Sequence, residues 1–188
     1  MQRQQIIDTA LRYVAHTWHA QPEHACHTQD INPPDAAHGG WWQVGENVGV
    51  PYCWGGASTL EEFDAGLSIG KYAGNVPLSK PAPVSRDCVG VDCSGLMCIC
   101  WGLPRRISTR EIPSIADQLQ STDLLLPGDI LAKPGSHVMF FMAFADAERR
   151  TVRIVDATRS TGKVSVRELS LPELLADGYL PFRKRPEE

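Results

Sequence analysis

The chain has 188 residues, of which 43% are hydrophobic and 21% charged, values that fit one soluble globular domain and exclude a disordered or membrane-embedded class. A formal net charge of -4 gives no electrostatic reason to expect nucleic acid or an anionic membrane as partner. The one dense basic cluster, Arg183-Lys184-Arg185, is followed almost at once by Glu187 and Glu188 and reads as a solvated tail.

Residues 1–8 lack the apolar run of a secretory signal, and no later stretch is long enough for a bilayer, so the expectation is a chain that is cytoplasmic as synthesised, without membrane insertion. Export as an effector or to the periplasm stays compatible with that reading. Ile7, Ala10, Leu11, Val14 and Trp18 recur at helical spacing and predict an amphipathic helix over about 3–19. From about 20 to 48 the chain is rich in His, Pro, Gly and Asp without a sustained period, which predicts a long loop.

Ser58-Thr59-Leu60-Glu61 has the form of a capping box and predicts a short helix running to about Tyr72, after which the prolines of 76–83 break it. Cys93–Trp101 is apolar and of helical length, with Asp92 as N-cap and Gly102 and Pro104 as stop signals. The last third collects β-branched and aromatic residues in runs at 129–131, 137–144, 151–156, 163–166 and 179–183, which predict antiparallel strands. Helices first and strands second predict an α+β domain, a central antiparallel sheet packed against the helix that starts at Cys93.

Six cysteines, at 26, 53, 88, 93, 98 and 100, follow neither a disulfide framework nor a paired C-x-x-C spacing. Cys98 and Cys100 sit in an apolar run as small hydrophobes. Cys93 is different, because a helix start favours a thiolate and offers backbone N–H groups, including its own, to an oxyanion. Gly95 would let a substrate approach that backbone closely.

A base is needed, and His137 is the one histidine beyond residue 38, at the head of a predicted strand. A turn over 145–148 would pair 144 with 149 and set His137 directly opposite Asp156, close enough for the carboxylate to hold the imidazole N–H. Cys93, His137 and Asp156 therefore form a candidate nucleophile, base and orienting group.

The ordered blocks 49–56 (Gly-Val-Pro-Tyr-Cys-Trp-Gly-Gly), Asp92-Cys93-Ser94-Gly95-Leu96, Leu103-Pro104-Arg105, Leu126-Pro127-Gly128-Asp129-Ile130 and His137-Val138 resemble the NlpC-type cell-wall cysteine peptidases, over about residues 49–158. The resemblance implies a single NlpC-type catalytic domain over 1–188 with a papain-like core, and hydrolysis of amide bonds in peptidoglycan stem peptides or muropeptides, commonly after γ-D-glutamate. It implies Cys93 as nucleophile, His137 as base and Asp156 as the third residue, a place where many members carry histidine. It further implies that Tyr52, Asp92 and Ser94 bind the free amine of a stem peptide. No cofactor and no metal are expected. The wide separation of Trp54 and Cys93 reads as an insertion over about 57–91.

Four other readings stay open from the residues. Asp87-Cys88-Val89-Gly90 mimics the nucleophile motif but precedes no helical run, and Cys53 lines a site more naturally than it attacks. His16, His19, His24, Cys26 and His27 are rich in metal-ligand types, although their spacing matches no familiar zinc pattern. A thiol amidase of the same fold acting outside the wall, or an inactive muropeptide-binding module, would share the family blocks.

Overall fold

The computed structural model describes residues 2–26, 30–31, 41–77 and 84–186. Helix α1 (Arg3–Ala15) buries Ile6, Ile7, Ala10 and Tyr13 along one stripe. It ends before the predicted limit: His16 turns extended, and Trp18 lies in strand β1 (Thr17–Ala20) rather than on the helix. Burial overrides the local period here. Trp18 packs edge-on against Trp42 and Phe63 and donates its indole N–H to the Gly49 carbonyl at 2.9 Å.

Two further strands, β2 (Asp30–Ile31) and β3 (Gly45–Val48), fall in the segment expected to be loop, and β3 pairs antiparallel with β1. Helix α2 (Leu60–Ser68) starts one residue later than predicted. Thr59, not Ser58, is the N-cap, and its hydroxyl and the Glu62 carboxylate close the capping box at 3.1 and 2.8 Å. The sequence Ser-Thr-Leu-Glu-Glu offers both frames; the second lets Phe63 and Leu67 face the core.

The predicted insertion holds α2 and three two-residue strands, β4 (Tyr72–Ala73), β5 (Val76–Pro77) and β6 (Cys88–Val89). Strand β4 runs parallel to β6, and β5 pairs with β2. Residues 78–83 of the proline segment lie outside the described residues.

Helix α3 (Cys93–Cys100) is followed by α4 (Ile112–Ile115) and β7 (Ala116–Gln118), then by β8 (Ile130–Lys133), β9 (His137–Phe144), β10 (Thr151–Thr158) and β11 (Lys163–Ser170). Helix α5 (Leu171–Ala176) and β12 (Leu180–Lys184) end the fold. The architecture is α+β, with a six-stranded antiparallel sheet in the order β11-β10-β9-β8-β12-β7.

One sheet face packs on α3, where Leu96, Met97 and Trp101 meet Val138, Phe140 and Val155 in the main core. Each such fully buried side chain stabilises the fold by about 1.5–3 kcal/mol. Leu131, Met139, Phe141, Ile154 and Leu171 form a second cluster. Among the described residues no helix is long and apolar enough to cross a membrane.

The block around Asp129 turns out to be a structural clamp. Its buried carboxylate accepts from Arg3 of α1 at 2.8 Å, from Arg183 of β12 at 2.7 Å and from the Leu126 N–H at 2.9 Å. The first helix and the last strand are thereby tied to one point.

Candidate active site

Asp92 caps α3. Its Oδ1 accepts from the Gly95 N–H at 2.7 Å and the Ser94 hydroxyl at 2.9 Å, and its Oδ2 accepts from the Gly55 N–H at 3.0 Å and from Arg106. Cys93 is thus the first residue of the helix, half-buried, where backbone N–H groups have no intrahelical partner. Gly95 is required by the fold and not by an incoming ligand, since a Cβ there would lie 1.9 Å from the Gly56 carbonyl oxygen.

His137 opens β9 and hydrogen-bonds the Asp156 carboxylate through Nε2 at 2.7 Å. The register that brings them together is not the predicted one. Val152 faces Phe144, and past an irregularity at Met142, Val155 faces Phe140, so Asp156 is a diagonal neighbour of His137 and not its direct opposite. The turn is longer than expected because the Asp146 carboxylate holds the N–H groups of Arg150 and Thr151, and Arg149 adopts a φ of 56°. The displacement keeps the parity of the strand, so both side chains still share one face, and diagonal pairs are within reach of long side chains.

Asp156 is 1% exposed and is held from its other side by Arg167 of β11, whose Nε donates to Oδ1 at 3.1 Å and whose terminal nitrogen donates to Oδ2. The ring of Tyr179 meets the imidazole edge-on, with centroids 6.3 Å apart. Burial works against a charged His137, but the Asp156 carboxylate that accepts its N–H and the nearby Cys93 outweigh it and raise the imidazole pKa to about 9. With Nε2 engaged by Asp156, Nδ1 is the nitrogen left for Cys93.

Asp92, Cys93 and His137 line an open cleft of about 670 Å³, together with Tyr52, Ser94, Arg106, Arg110, Arg159, Arg167 and Tyr179. Burial, followed by the nearby Asp92 and Cys93, pushes the Tyr52 hydroxyl far up, so it stays a neutral phenol. Tyr179 is pushed up to about 12 by burial and then by Asp177 and Asp156.

The structure brings Cys93, His137, Asp156, Tyr52, Asp92 and Ser94 to one place, but it changes the role expected for Asp92. A carboxylate has about four acceptor positions, and all four are occupied by groups of the protein. The positive charge expected from a substrate ammonium comes instead from Arg106, which also donates to the Ser94 hydroxyl at 3.2 Å.

Sequence reading missed Arg106, Arg110, Arg159, Arg167 and Tyr179. Arg106 directly follows the Leu103-Pro104-Arg105 block and Tyr179 heads a predicted strand, faint signals for a site; Arg167 carries none, because its partner lies across a strand pair.

The other cysteines are placed differently. Cys53 and Cys88 are buried, and their hydrogen bond, with burial second, holds the Cys53 thiol well up. Burial likewise raises Cys98 and Cys100. The His/Cys group near the N-terminus disperses: His16 pairs with Asp64 at 2.8 Å, His19 with Glu46 at 2.7 Å, and His24 accepts from the Gln21 N–H at 3.0 Å, while His27 lies outside the described residues. Among the described residues no three His, Cys, Asp or Glu side chains are gathered as metal ligands.

Compared with protein-family models, curated proteins and solved structures, the chain matches none.

Proposed function

We propose that this chain is a cysteine amide hydrolase of the NlpC type, built on a papain-like core and acting on peptidoglycan stem peptides or muropeptides. The observation that carries the reading is the position of His137, which lines the same cleft as Cys93 and hydrogen-bonds the buried Asp156 carboxylate at 2.7 Å. The wall peptide as substrate rests on the sequence blocks at 49–56, 92–96, 103–105, 126–130 and 137–138.

The reaction follows from the charges. His137 takes the thiol proton, leaving a thiolate–imidazolium pair at the helix start that the Asp156 carboxylate balances. The sulfur attacks the amide carbon, and the Cys93 N–H stabilises the oxyanion. The imidazolium then protonates the departing amine, and a water deprotonated by His137 hydrolyses the thioester and regenerates the thiol. Asp156 fixes the ring and balances its charge throughout, and Arg167 fixes Asp156.

Incubation with defined muropeptides, read by mass spectrometry, tests this. Products that together gain one water, absent with Cys93→Ala, are expected; intact muropeptides after prolonged incubation with folded protein would remove the wall substrate.

A further inference from the structure

The cleft carries a charge opposite in sign to that of the chain. Four arginines line it, whereas the chain as a whole has a formal net charge of -4. Two of them are committed: Arg106 to Asp92 and Arg167 to Asp156. Arg110 and Arg159 have no carboxylate partner among the described residues.

Arg159, in the turn after β10, gives one N–H to the Pro77 carbonyl at 2.6 Å, which leaves the remaining donors of its fork. Arg110 belongs to the 3-10 turn Thr109–Glu111 after α3 and lies over Gly135, with Cγ and Nε 3.4 and 3.6 Å from the place a Cβ would take. Two guanidinium groups from separate elements therefore reach the cleft that holds Cys93. The carboxylate that would have received an ammonium is already saturated.

We propose that the cleft selects anionic substrates: Arg110 and Arg159 bind free carboxylates of an acidic peptide beside the scissile amide, and no free amino terminus is required. Guanidinium and carboxylate match as planar, two-pronged partners, which gives orientation as well as attraction. The proposal rests on the cysteine hydrolase reading and names the substrate class of that same site.

Iodoacetate and iodoacetamide test it, because both alkylate a thiolate by displacing iodide, and the two reagents have opposite chances in a cationic cleft. A cleft of focused positive potential raises the local concentration of an anion about tenfold or more. Relative to cysteine in an unstructured peptide, Cys93 is expected to favour iodoacetate about tenfold at low salt, and less as salt rises. The double variant R110Q/R159Q should lose most of that preference; both side chains belong to exposed residues, so the fold is spared.

A peptide-like ratio in the unmutated protein, or a ratio unchanged in the double variant, overturns the proposal, the second by assigning the field to His137. Should neither reagent label Cys93, calorimetry on Cys93→Ala decides. An N-acetylated γ-glutamyl dipeptide should bind about tenfold tighter as the free acid than as its carboxamide, and equal affinities overturn the proposal. Anion preference without any cleavage of muropeptides would refute the wall-peptidase function alone. Cleavage of acid and carboxamide peptides at equal rates would refute the anion selectivity alone.

Discussion

Asp87-Cys88-Val89-Gly90 and Asp92-Cys93-Ser94-Gly95 are near neighbours in the chain and close in composition, yet they reach opposite environments. Cys88 lies on the short strand β6, buried and hydrogen-bonded to Cys53. Cys93 opens α3 at the edge of a cleft, beside His137. A thiol becomes a nucleophile through a helix start, a base and access together, and the four-residue motif supplies none of these by itself.

The largest expected effect breaks this contrast at its active side. Cys93→Ala should lower turnover by at least about 10⁴-fold while leaving the thermal midpoint nearly unchanged, since loss of a nucleophile removes a unit and not one additive part. Retained turnover in a folded Cys93→Ala protein would hand the chemistry to Cys88 or to another residue.

Asp156→Asn should lower kcat/KM by about 10²-fold, within the range of a misdirected base. The same change leaves Arg167 without its buried partner, so a thermal melt must accompany the kinetics. A shift of the alkaline limb of kcat/KM to lower pH, as the imidazolium loses the carboxylate that raises its pKa, separates a positioning role from simple unfolding.

A pH profile sharpens the contrast further. His137 titrates from about 6.5 when unfolded to about 9 when folded, so its contribution to stability is full below about 6.5 and is lost as pH rises through about 9. The alkaline limb of kcat/KM should fall near the same value, because the imidazolium that protonates the amine disappears there. In Cys93→Ala the histidine, followed by proton NMR, should titrate lower, having lost one of the two groups that raise it.

Cys88→Ala should give the smallest change: activity within about twofold, and a stability loss of about 1–2 kcal/mol for a small cavity beside Cys53. A loss of activity without unfolding would show that the buried pair shapes the cleft.

Much of this arrangement was legible in the chain, where it depended on neighbours in sequence. The Asp92 cap, the start of α3 and the alternation of β9 and β10 are local features, and the period of two kept His137 and Asp156 on one face although the register was misread. What lay outside the reach of local pattern was tertiary. Trp18 left the predicted helix because a core of Trp42 and Phe63 was waiting for it. Ser58 lost the cap to Thr59 because burial of Phe63 chose the frame.

Arginine partners are the clearest case. Asp129 and Asp156 are both buried and both held by arginine, and only the structure shows that one ties chain ends together while the other shares its carboxylate with an imidazole in a cleft. The family resemblance implied a substrate ammonium as the partner of Asp92; Arg106 supplies that charge from within the chain.

The nucleophile assignment is tested most directly by treating the native protein with one equivalent of iodoacetamide at neutral pH and locating the label by peptide mass spectrometry among the six cysteines. Modification of Cys93 alone, suppressed in His137→Ala, is the predicted result. Label on Cys88 or Cys53, or an even spread over several cysteines of folded protein, would contradict it.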